Sequence, residues 1–309
     1  MSAGPNLSPL RIGTRGSQLA LWQANHIADR LRPVVAPRPV ELVLIETHGD
    51  ADQVRPLAEM GGFGVFTRSI QLALIDGRCD VAVHSLKDLP TIPVPELALA
   101  ASPQRGPTGD VFISHKWEKF DDVPAGSTIA TSSLRRRAQI LNRRPDLNLV
   151  NIRGNVETRI RKLREQDLDG LILAEAGVTR LGLGEHITEV LDAEWMLPAV
   201  GQGAIGLECR ADDRETIHFV EAVTDPATWT AVRAERAMLS ALGGGCLVPI
   251  GVTAEIADHA LTLRGCVLSP DGKRRIVDTH RGSSDQPSGV GQELAATMLA
   301  AGAGELLEA

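Results

Sequence analysis

The chain has 309 residues, a length that predicts roughly two domains of about 150 residues each. Its hydrophobic content of 43% and charged content of 23% are ordinary for a globular protein and exclude a mainly disordered chain. No run approaches the roughly 18 apolar residues of a membrane helix, and residues 1–16 lack the apolar core of a secretory signal. The net charge of −7 excludes a global positive field that would attract nucleic acid or anionic lipid.

Strand-like and helix-like segments alternate along most of the chain. We predict strands at Leu10–Thr14, Val40–Glu46, Val81–His84, Thr128–Thr131, Leu149–Ile152, Gly170–Ala174 and Ala204–Glu208. We predict helices from the cap residue Ser17 to about Leu31 and at Val65–Ile75, Leu134–Asn142, Val156–Arg164 and Ala231–Leu242. The loops between them include a glycine-rich segment, a proline-rich linker and a second crossover, at Gly61–Gly64, Thr91–Pro107 and Pro198–Gly203.

The last third of the chain has a different pattern. Alternating runs at Val252–Ile256, Leu261–Leu268 and Arg275–Thr279 precede a final helix. The whole pattern therefore predicts α/β units with mostly parallel sheets, followed by a small α+β domain.

The four cysteines are spread along the chain. Cys79, Cys209, Cys246 and Cys266 form no CxxC pair and no dense framework. This spacing predicts reduced thiols in a cytoplasmic protein and disfavours a zinc ribbon or a disulfide scaffold. Three of them lie in strand or helix-end patterns and are predicted to be structural. Cys246 differs because three glycines before it leave space around the thiol; a small buried hydrophobe is the alternative interpretation.

Basic residues are concentrated in one stretch. Residues 131–164 hold nine arginines and one lysine against two acidic residues, a local net charge of +8 in a chain of −7. Arginine suits carboxylate or phosphate because its planar guanidinium donates two parallel hydrogen bonds. The sequences TSSLRRR and RGN each follow a predicted strand and open a helix. Both loops are therefore expected at one edge of a parallel sheet, where ligands bind in open α/β folds.

Seven of the nine arginines of this stretch fall into two groups. Those predicted to lie on solvated helix faces are Arg143, Arg144, Arg161 and Arg164. Those predicted to converge on an anion are Arg135, Arg136 and Arg153. Nucleic acid is disfavoured as the anion because no aromatic side chain between Asp121 and Glu194 offers a stacking surface. A small ligand with several carboxylates or phosphates fits the pattern better.

A second polar cluster, His84-Ser85-Leu86-Lys87-Asp88, stands at the end of a predicted strand. A Ser/His/Asp triad is disfavoured because sequence neighbours rarely adopt triad geometry. Asp88 fits an acid/base or cation-stabilising carboxylate, with Lys87 beside it. The spacing equally allows Asp88 to be a helix N-cap paired with Lys87.

Five motifs together resemble the hydroxymethylbilane synthases, also called porphobilinogen deaminases: HSLKDLPT, TSSLRR, IRGNVETR, LPAVGQGAIGLECR and GGGCLVPIG. The resemblance is collinear and runs from Arg11 to the tail. It implies an α/β protein with two periplasmic-binding-protein-like domains plus a small C-terminal α+β domain. The implied boundaries are 1–103 with 202–222 for domain 1, 104–201 for domain 2 and 223–309 for domain 3.

The resemblance also implies a reaction. A transferase of this family joins four porphobilinogen molecules head to tail into hydroxymethylbilane, releases four ammonia, and so serves tetrapyrrole and haem biosynthesis. The implied cofactor is a dipyrromethane primer in thioether linkage to Cys246. The implied partner is porphobilinogen alone, with no nucleic acid, membrane or metal, and a cytoplasmic monomer is expected. A binding protein of the same architecture and an arginine-rich nucleic-acid module are the alternatives.

The resemblance assigns roles to individual residues. Asp88 matches the catalytic aspartate. The carboxylate-binding arginines are matched by Arg11, Arg15, Arg135, Arg136, Arg153, Arg159 and Arg180. Cofactor or substrate contacts are implied for Ser17, Ser85, Lys87, Thr131, Ser132 and Ser133, and a pyrrole-packing aromatic for Phe66. The chain departs from many relatives at Phe63, where they have lysine, and across residues 65–71, where two carboxylates are absent.

Overall fold

The computed structural model describes residues 8–46, 67–244 and 248–308. The strands are β1 (Leu10–Thr14), β2 (Val40–Leu44), β3 (Val81–Ser85), β4 (Leu97–Ala101), β5 (Asp110–Ile113), β6 (Thr128–Ala130), β7 (Asn148–Val150), β8 (Gly170–Ala174), β9 (Glu189–Val190), β10 (Ile205–Arg210), β11 (Ile250–Ala257), β12 (Ala260–Leu268) and β13 (Arg275–Ser283). The helices are α1 (Gln18–Val35), α2 (Arg68–Ile75), α3 (Leu134–Arg143), α4 (Val156–Glu165), α5 (Glu175–Arg180), α6 (Arg214–Glu221), α7 (Pro226–Ala241), α8 (Pro287–Ala300) and α9 (Ala303–Glu308). Short 3₁₀ turns lie at Leu86–Asp88, Phe120–Asp122 and Gly184–His186.

The chain forms two compact units, Met1–Arg105 with Ala204–Trp229 and Gly106–Gly203 with Thr230–Ala309. The three-domain boundaries given above stay a prediction. Within the described ranges, no helix combines the length and the apolar character needed to cross a membrane.

The first unit is built on a five-stranded sheet in the order β2-β1-β3-β10-β4. Strands β1, β2 and β3 are mutually parallel, whereas β10 is antiparallel to both of its neighbours. As predicted, Ser17 caps α1, and its hydroxyl accepts a hydrogen bond from the Ala20 amide at 3.3 Å. Ala24, Ile27 and Leu31 are fully buried and join the core cluster formed with this sheet. The strand-end residues of β1 and β3 are thereby held on a rigid support.

The second unit contains two sheets. A five-stranded sheet has the order β7-β6-β8-β5-β9, and a three-stranded antiparallel sheet has the order β11-β12-β13. Residues of α7, α8 and α9 form one hydrophobic core with the smaller sheet, including the fully buried Met238, Leu263 and Leu294. This sheet also contacts α3, because Asn142 donates a hydrogen bond to the Gly272 carbonyl at 2.8 Å. The α/β class with a small C-terminal α+β domain is confirmed.

Two predictions about the elements are wrong, and some elements were missed. The sheets are not mostly parallel, because two of the four strand pairings described in each large sheet are antiparallel. The predicted linker Thr91–Pro107 contains β4, whose backbone pairs with β10. Strand β5 and helix α6 were not predicted at all. An apolar run shows that a strand is buried, but neither its direction nor its partner is encoded locally.

Candidate active site

Asp88 ends the 3₁₀ turn that follows β3. Two backbone hydrogen bonds hold this turn: the Leu86 amide donates to the Ala204 carbonyl at 3.0 Å, and the Leu89 amide donates to the Leu86 carbonyl at 3.1 Å. The Asp88 side chain is half-buried, and within the described part of the chain no hydrogen bond or ion pair engages its carboxylate. The cap position of the turn belongs to Ser85. Asp88 is therefore not the N-cap of this turn.

Other predicted residues of the first unit lie at the same sheet edge. Because β1 runs parallel to β3, with Gly13 opposite Ala82, Arg15 follows β1 on the side of the sheet where Asp88 follows β3. Ser85 exchanges hydrogen bonds with Gln23 of α1, at 2.9 and 3.2 Å. Ser17 lies two residues after Arg15, and Lys87 directly precedes Asp88. Both side chains are half-buried. The edge thus brings together a carboxylate, two cations and two hydroxyls.

Arg11 lies at the opposite end of β1. Its guanidinium makes a two-point contact with Asp80, with Nε–Oδ2 at 3.1 Å and Nη2–Oδ1 at 2.8 Å. Burial would raise the pKa of Asp80, but hydrogen bonds from Arg11 and Arg210 outweigh burial and hold the pKa below its usual value. Arg11 thus binds a carboxylate of its own unit, at the amino end of β3. A ligand contact by Arg11 stays a prediction.

In the second unit, helices α3 and α4 begin where the parallel strands β6 and β7 end. Ser133 caps α3 by accepting from the Arg136 amide at 3.4 Å, and Asn155 caps α4 by accepting from the Thr158 amide at 2.8 Å. Both helix N-termini therefore lie at the edge that the sequence predicted. Each carries a partial positive charge that favours an anion.

Ser132 joins the two loops at this edge. Its hydroxyl donates to the Ile152 carbonyl at 2.7 Å and accepts from the Ile152 amide at 3.0 Å. Thr131 is buried, and its hydroxyl accepts from the Ser133 amide at 3.3 Å. The hydroxyl residues predicted to contact a ligand thus also build the loops that carry them.

Arg135 and Arg136 are 4% and 6% exposed, and both bind one buried carboxylate, that of Asp110. The contacts are Arg135 Nη1–Oδ2 at 2.6 Å and Arg136 Nη2–Oδ1 at 2.7 Å. Backbone carbonyls of Leu197 and Ile172 accept further hydrogen bonds from these groups, at 2.6 and 3.1 Å. Burial would raise the pKa of Asp110, but the two guanidinium groups outweigh it and lower that pKa. A ligand contact by either arginine stays a prediction.

Asp110 was not identified from the sequence. It opens β5, which no local pattern predicted, and a single aspartate after a proline-rich segment gives no sign of its partners 25 and 26 residues away.

The solvated arginines are only partly as predicted. Arg161 and Arg164 are exposed, as is Arg143, which pairs with Asp121 at 2.7 Å. Arg144 contradicts the prediction because it is half-buried and binds both Asp146 and the Val123 carbonyl, each at 2.7 Å. Asp146 lies two residues further along the chain, whereas the Val123 carbonyl comes from a segment 21 residues earlier, which a charge count along the chain does not reveal.

The remaining predicted arginines of this unit are half-buried. Arg159 donates through Nε to the Gly154 carbonyl at 2.8 Å, and Arg153 lies in the same loop before α4. Arg180, at the end of α5, donates to the Gly203 carbonyl at 2.6 Å. Burial lowers the pKa of Arg180 to about 10, so its guanidinium stays charged at neutral pH. These three residues add positive charge to the unit that holds the two helix N-termini.

Two predicted site residues, Cys246 and Phe66, lie outside the described residues, as do Phe63 and Gly61–Gly64. The other cysteines, Cys79, Cys209 and Cys266, are fully buried, which agrees with their predicted structural role.

Comparison with known proteins decides the family. Residues 10–218 match the sequence model of the porphobilinogen deaminase dipyrromethane cofactor-binding domain, and residues 229–300 match that of the porphobilinogen deaminase C-terminal domain. The chain belongs to the porphobilinogen deaminase family. Porphobilinogen deaminases of Syntrophotalea carbinolica and Trichlorobacter lovleyi are 47% and 48% identical to it, over 98% and 97% of this chain and 96% of each relative.

Solved structures of other proteins resemble parts of the chain. The methionine-binding protein MetQ superposes with a TM-score of 0.44 at 14% identity, covering 69% of this chain and 89% of that one. A periplasmic substrate-binding protein of a Coxiella burnetii ABC transporter gives 0.43 at 14% identity, covering 72% and 94%.

Proposed function

We propose that this chain is a hydroxymethylbilane synthase. It joins four porphobilinogen molecules head to tail on a dipyrromethane primer held in thioether linkage by Cys246, and releases ammonia at each addition. Family membership over nearly the whole chain supports this reaction. The observation that carries the site is the half-buried Asp88 carboxylate at the edge of the first unit's sheet, which none of the described residues engages.

Asp88 stabilises positive charge in this proposal. Loss of ammonia from porphobilinogen leaves a cation, and a half-buried carboxylate stabilises it more strongly than water does because it is already oriented. The same oxygen atoms accept hydrogen bonds from pyrrole N–H groups and move a proton at the reacting carbon. Lys87, Ser85 and Arg15 lie at the same edge and orient the substrate's acidic side chains.

The second unit supplies anion recognition. Each pyrrole carries an acetate and a propionate, so a growing chain gains two negative charges per ring. The N-termini of α3 and α4, with Arg153, Arg159 and Arg180, are suited to hold such a polycarboxylate. Cys246 would hold the dipyrromethane, with Phe66 beside its rings, and the bound cofactor would supply the terminal pyrrole carbon from which the chain grows.

Further parts of the assignment rest on sequence alone. We propose that the protein acts in the cytoplasm as a monomer, with porphobilinogen as its small-molecule partner. The absence of a CxxC pair supports the location, and the acidic net charge of −7 argues against nucleic acid as a partner.

Asp88→Asn tests the catalytic assignment. Removing one oriented charge typically costs about 3–4 kcal/mol, so we expect kcat to fall by about 10²–10³ while the fold and cofactor content are retained. Asp76→Asn is the matched control, because Asp76 is an exposed carboxylate of the same unit that pairs with Arg78 at 3.6 Å. Retention of more than about a third of wild-type kcat by Asp88→Asn would remove Asp88 from the mechanism.

Intact-mass spectrometry tests the cofactor. Protein expressed with porphobilinogen available should exceed its sequence mass by two linked pyrrole units, and Cys246→Ala should lack that increment. Cys266→Ala is the control, since Cys266 is fully buried and should leave the increment in place. A wild-type mass equal to the bare sequence would contradict the assignment.

A further inference from the structure

A buried polar chain crosses one face of the first unit's sheet. His84 of β3 and Glu208 of β10 are 4% and 5% exposed, and the His84 Nε2 atom lies 3.1 Å from Oε2 of Glu208. The other carboxylate oxygen of Glu208, Oε1, accepts a hydrogen bond from the side-chain amide (Nε2) of Gln71 in α2 at 3.0 Å. The mechanism above uses none of these three residues.

The position of this chain relative to Asp88 follows from strand geometry. Side chains alternate between the two faces of a strand, so His84 and Ser85 point to opposite faces of β3. Ser85 is tied to Gln23 of α1 on one face, and His84 is tied to Glu208 and α2 on the other. The end of β3 is therefore clamped on both faces immediately before the turn that carries Asp88.

Burying these polar groups costs free energy, and this cost indicates that they serve a purpose other than packing. Removing a carboxylate and an imidazole from water costs free energy that a pair of packed apolar side chains would avoid. Directional hydrogen bonds provide what apolar packing does not, a fixed orientation for the groups that make them. A fixed orientation at the last residues of β3 matters because misplacing a catalytic group by about 1 Å can cost about 10² in rate.

We propose that His84, held by Glu208 and Gln71, is a positioning residue that sets the orientation of the Asp88 turn. It touches neither substrate nor cofactor and acts through β3. The proposal rests on the proposed function, since it requires Asp88 to be the catalytic carboxylate.

A kcat and KM comparison tests it. His84→Leu should lower kcat by about tenfold or more with KM changed less than about twofold, because the turn is misplaced while the anion-binding residues stay in place. His84→Gln keeps an amide donor within reach of Glu208 and should restore kcat to within about threefold of wild type. An unchanged kcat in His84→Leu, or equal losses in the two variants, would overturn the proposal.

Asp213→Asn is the matched control for lost stability. Asp213 pairs with Arg210 of the same strand β10 at 2.7 Å and caps α6, at the end of β10 away from the Asp88 turn. This variant should lower the melting temperature and leave kcat unchanged within about twofold. If Asp213→Asn lowered kcat as much as His84→Leu, the effect of His84 would be general destabilisation.

Coupling to Asp88 separates this inference from the proposed function. In an Asp88→Asn background, His84→Leu should lower kcat by less than about threefold, because residues that act as one unit are not additive. A full further tenfold loss would show that His84 acts independently of Asp88 and would reject the positioning role. An Asp88→Asn variant with nearly normal kcat would instead remove Asp88 from the mechanism, and a wild-type protein that forms no hydroxymethylbilane would reject the proposed function.

Discussion

Asp110 is one carboxylate bound by two arginines in the core of the second unit. It is fully buried, and the guanidinium groups of Arg135 and Arg136 approach its two oxygens at 2.6 and 2.7 Å. A buried ion pair loses much of its Coulomb energy to desolvation, yet removing one partner leaves an uncompensated charge. Asp110 is therefore a structural requirement of the segment that carries the predicted anion site.

Asp110→Asn should lower the free energy of unfolding by about 3–5 kcal/mol, because it leaves two buried cations without a counter-ion. Asp121→Asn is the control, since Asp121 pairs with Arg143 at an exposed position, and exposed pairs contribute about 0–1 kcal/mol. Urea unfolding followed by circular dichroism measures both. Similar losses in the two variants would contradict a structural role for Asp110.

The same carboxylate predicts a pH dependence. The pKa of Asp110 is lower in the folded protein than in the unfolded chain, where an aspartate has a pKa of about 3.9. Its contribution to stability is therefore complete above about pH 5 and declines as the pH falls below about 4. The difference in melting temperature between wild type and Asp110→Asn should shrink from pH 6 to pH 3. A constant difference would contradict it.

The arginine pairs allow a second comparison among single residues. Arg135→Leu and Arg136→Leu should abolish most cofactor loading and product formation, because each removes a buried partner of Asp110 next to the capped start of α3. Arg143→Leu should change activity less than about threefold, since Arg143 is exposed. Product formation and bound cofactor are measured together. Equal losses in all three variants would mean that the arginines contribute only their overall positive charge and make no specific contacts.

Among the elements, helix α3 links the edge of the five-stranded sheet of the second unit to the three-stranded sheet. Its N-terminus lies at the predicted anion-binding edge, and its last turns contact the small C-terminal sheet. Ala138 of α3 is in one buried cluster with Cys266 and Leu268 of β12, and Gly272 follows β12 in a turn with φ of +73°. A Cβ at Gly272 would lie 2.6 Å from the Ala138 carbonyl and 2.7 Å from the Asn142 amide.

Gly272→Ala should therefore destabilise the second unit more than backbone strain alone does. Gly182→Ala is the control, because its φ is +70° and a Cβ there meets nothing within 4 Å. Both substitutions cost about 1–2 kcal/mol of left-handed strain, and the clash at Gly272 should add about 1–3 kcal/mol. Unfolding free energies measure the difference. Equal effects would mean that the turn does not rest on α3.

For the whole molecule, charge is divided unevenly along the chain. Residues 131–164 carry +8 while the chain carries −7. An anionic substrate is therefore attracted locally and repelled by the protein as a whole. Salt screens both effects, and we expect the local contacts to dominate binding because they are short-range and charge-assisted.

We expect the KM for porphobilinogen to rise a few-fold between about 20 and 300 mM salt, with kcat nearly constant. Arg164→Gln is the control for the diffuse part of the field, since Arg164 is exposed on α4 and should not change this slope. Initial rates at several salt concentrations measure it. A KM that falls with salt would show that repulsion by the acidic remainder dominates.

The sequence determined most of the elements and the family of this protein because both depend largely on local order. Ser17 and the apolar spacing after it predict α1, and the motif around Asp88 is read from adjacent residues. Only the tertiary structure decided which groups are paired. Asp110 meets Arg135 across 25 positions and His84 meets Glu208 across 124. Strand direction and ion pairing depend on how distant segments pack. The spacing of neighbouring residues does not show which distant segments will meet.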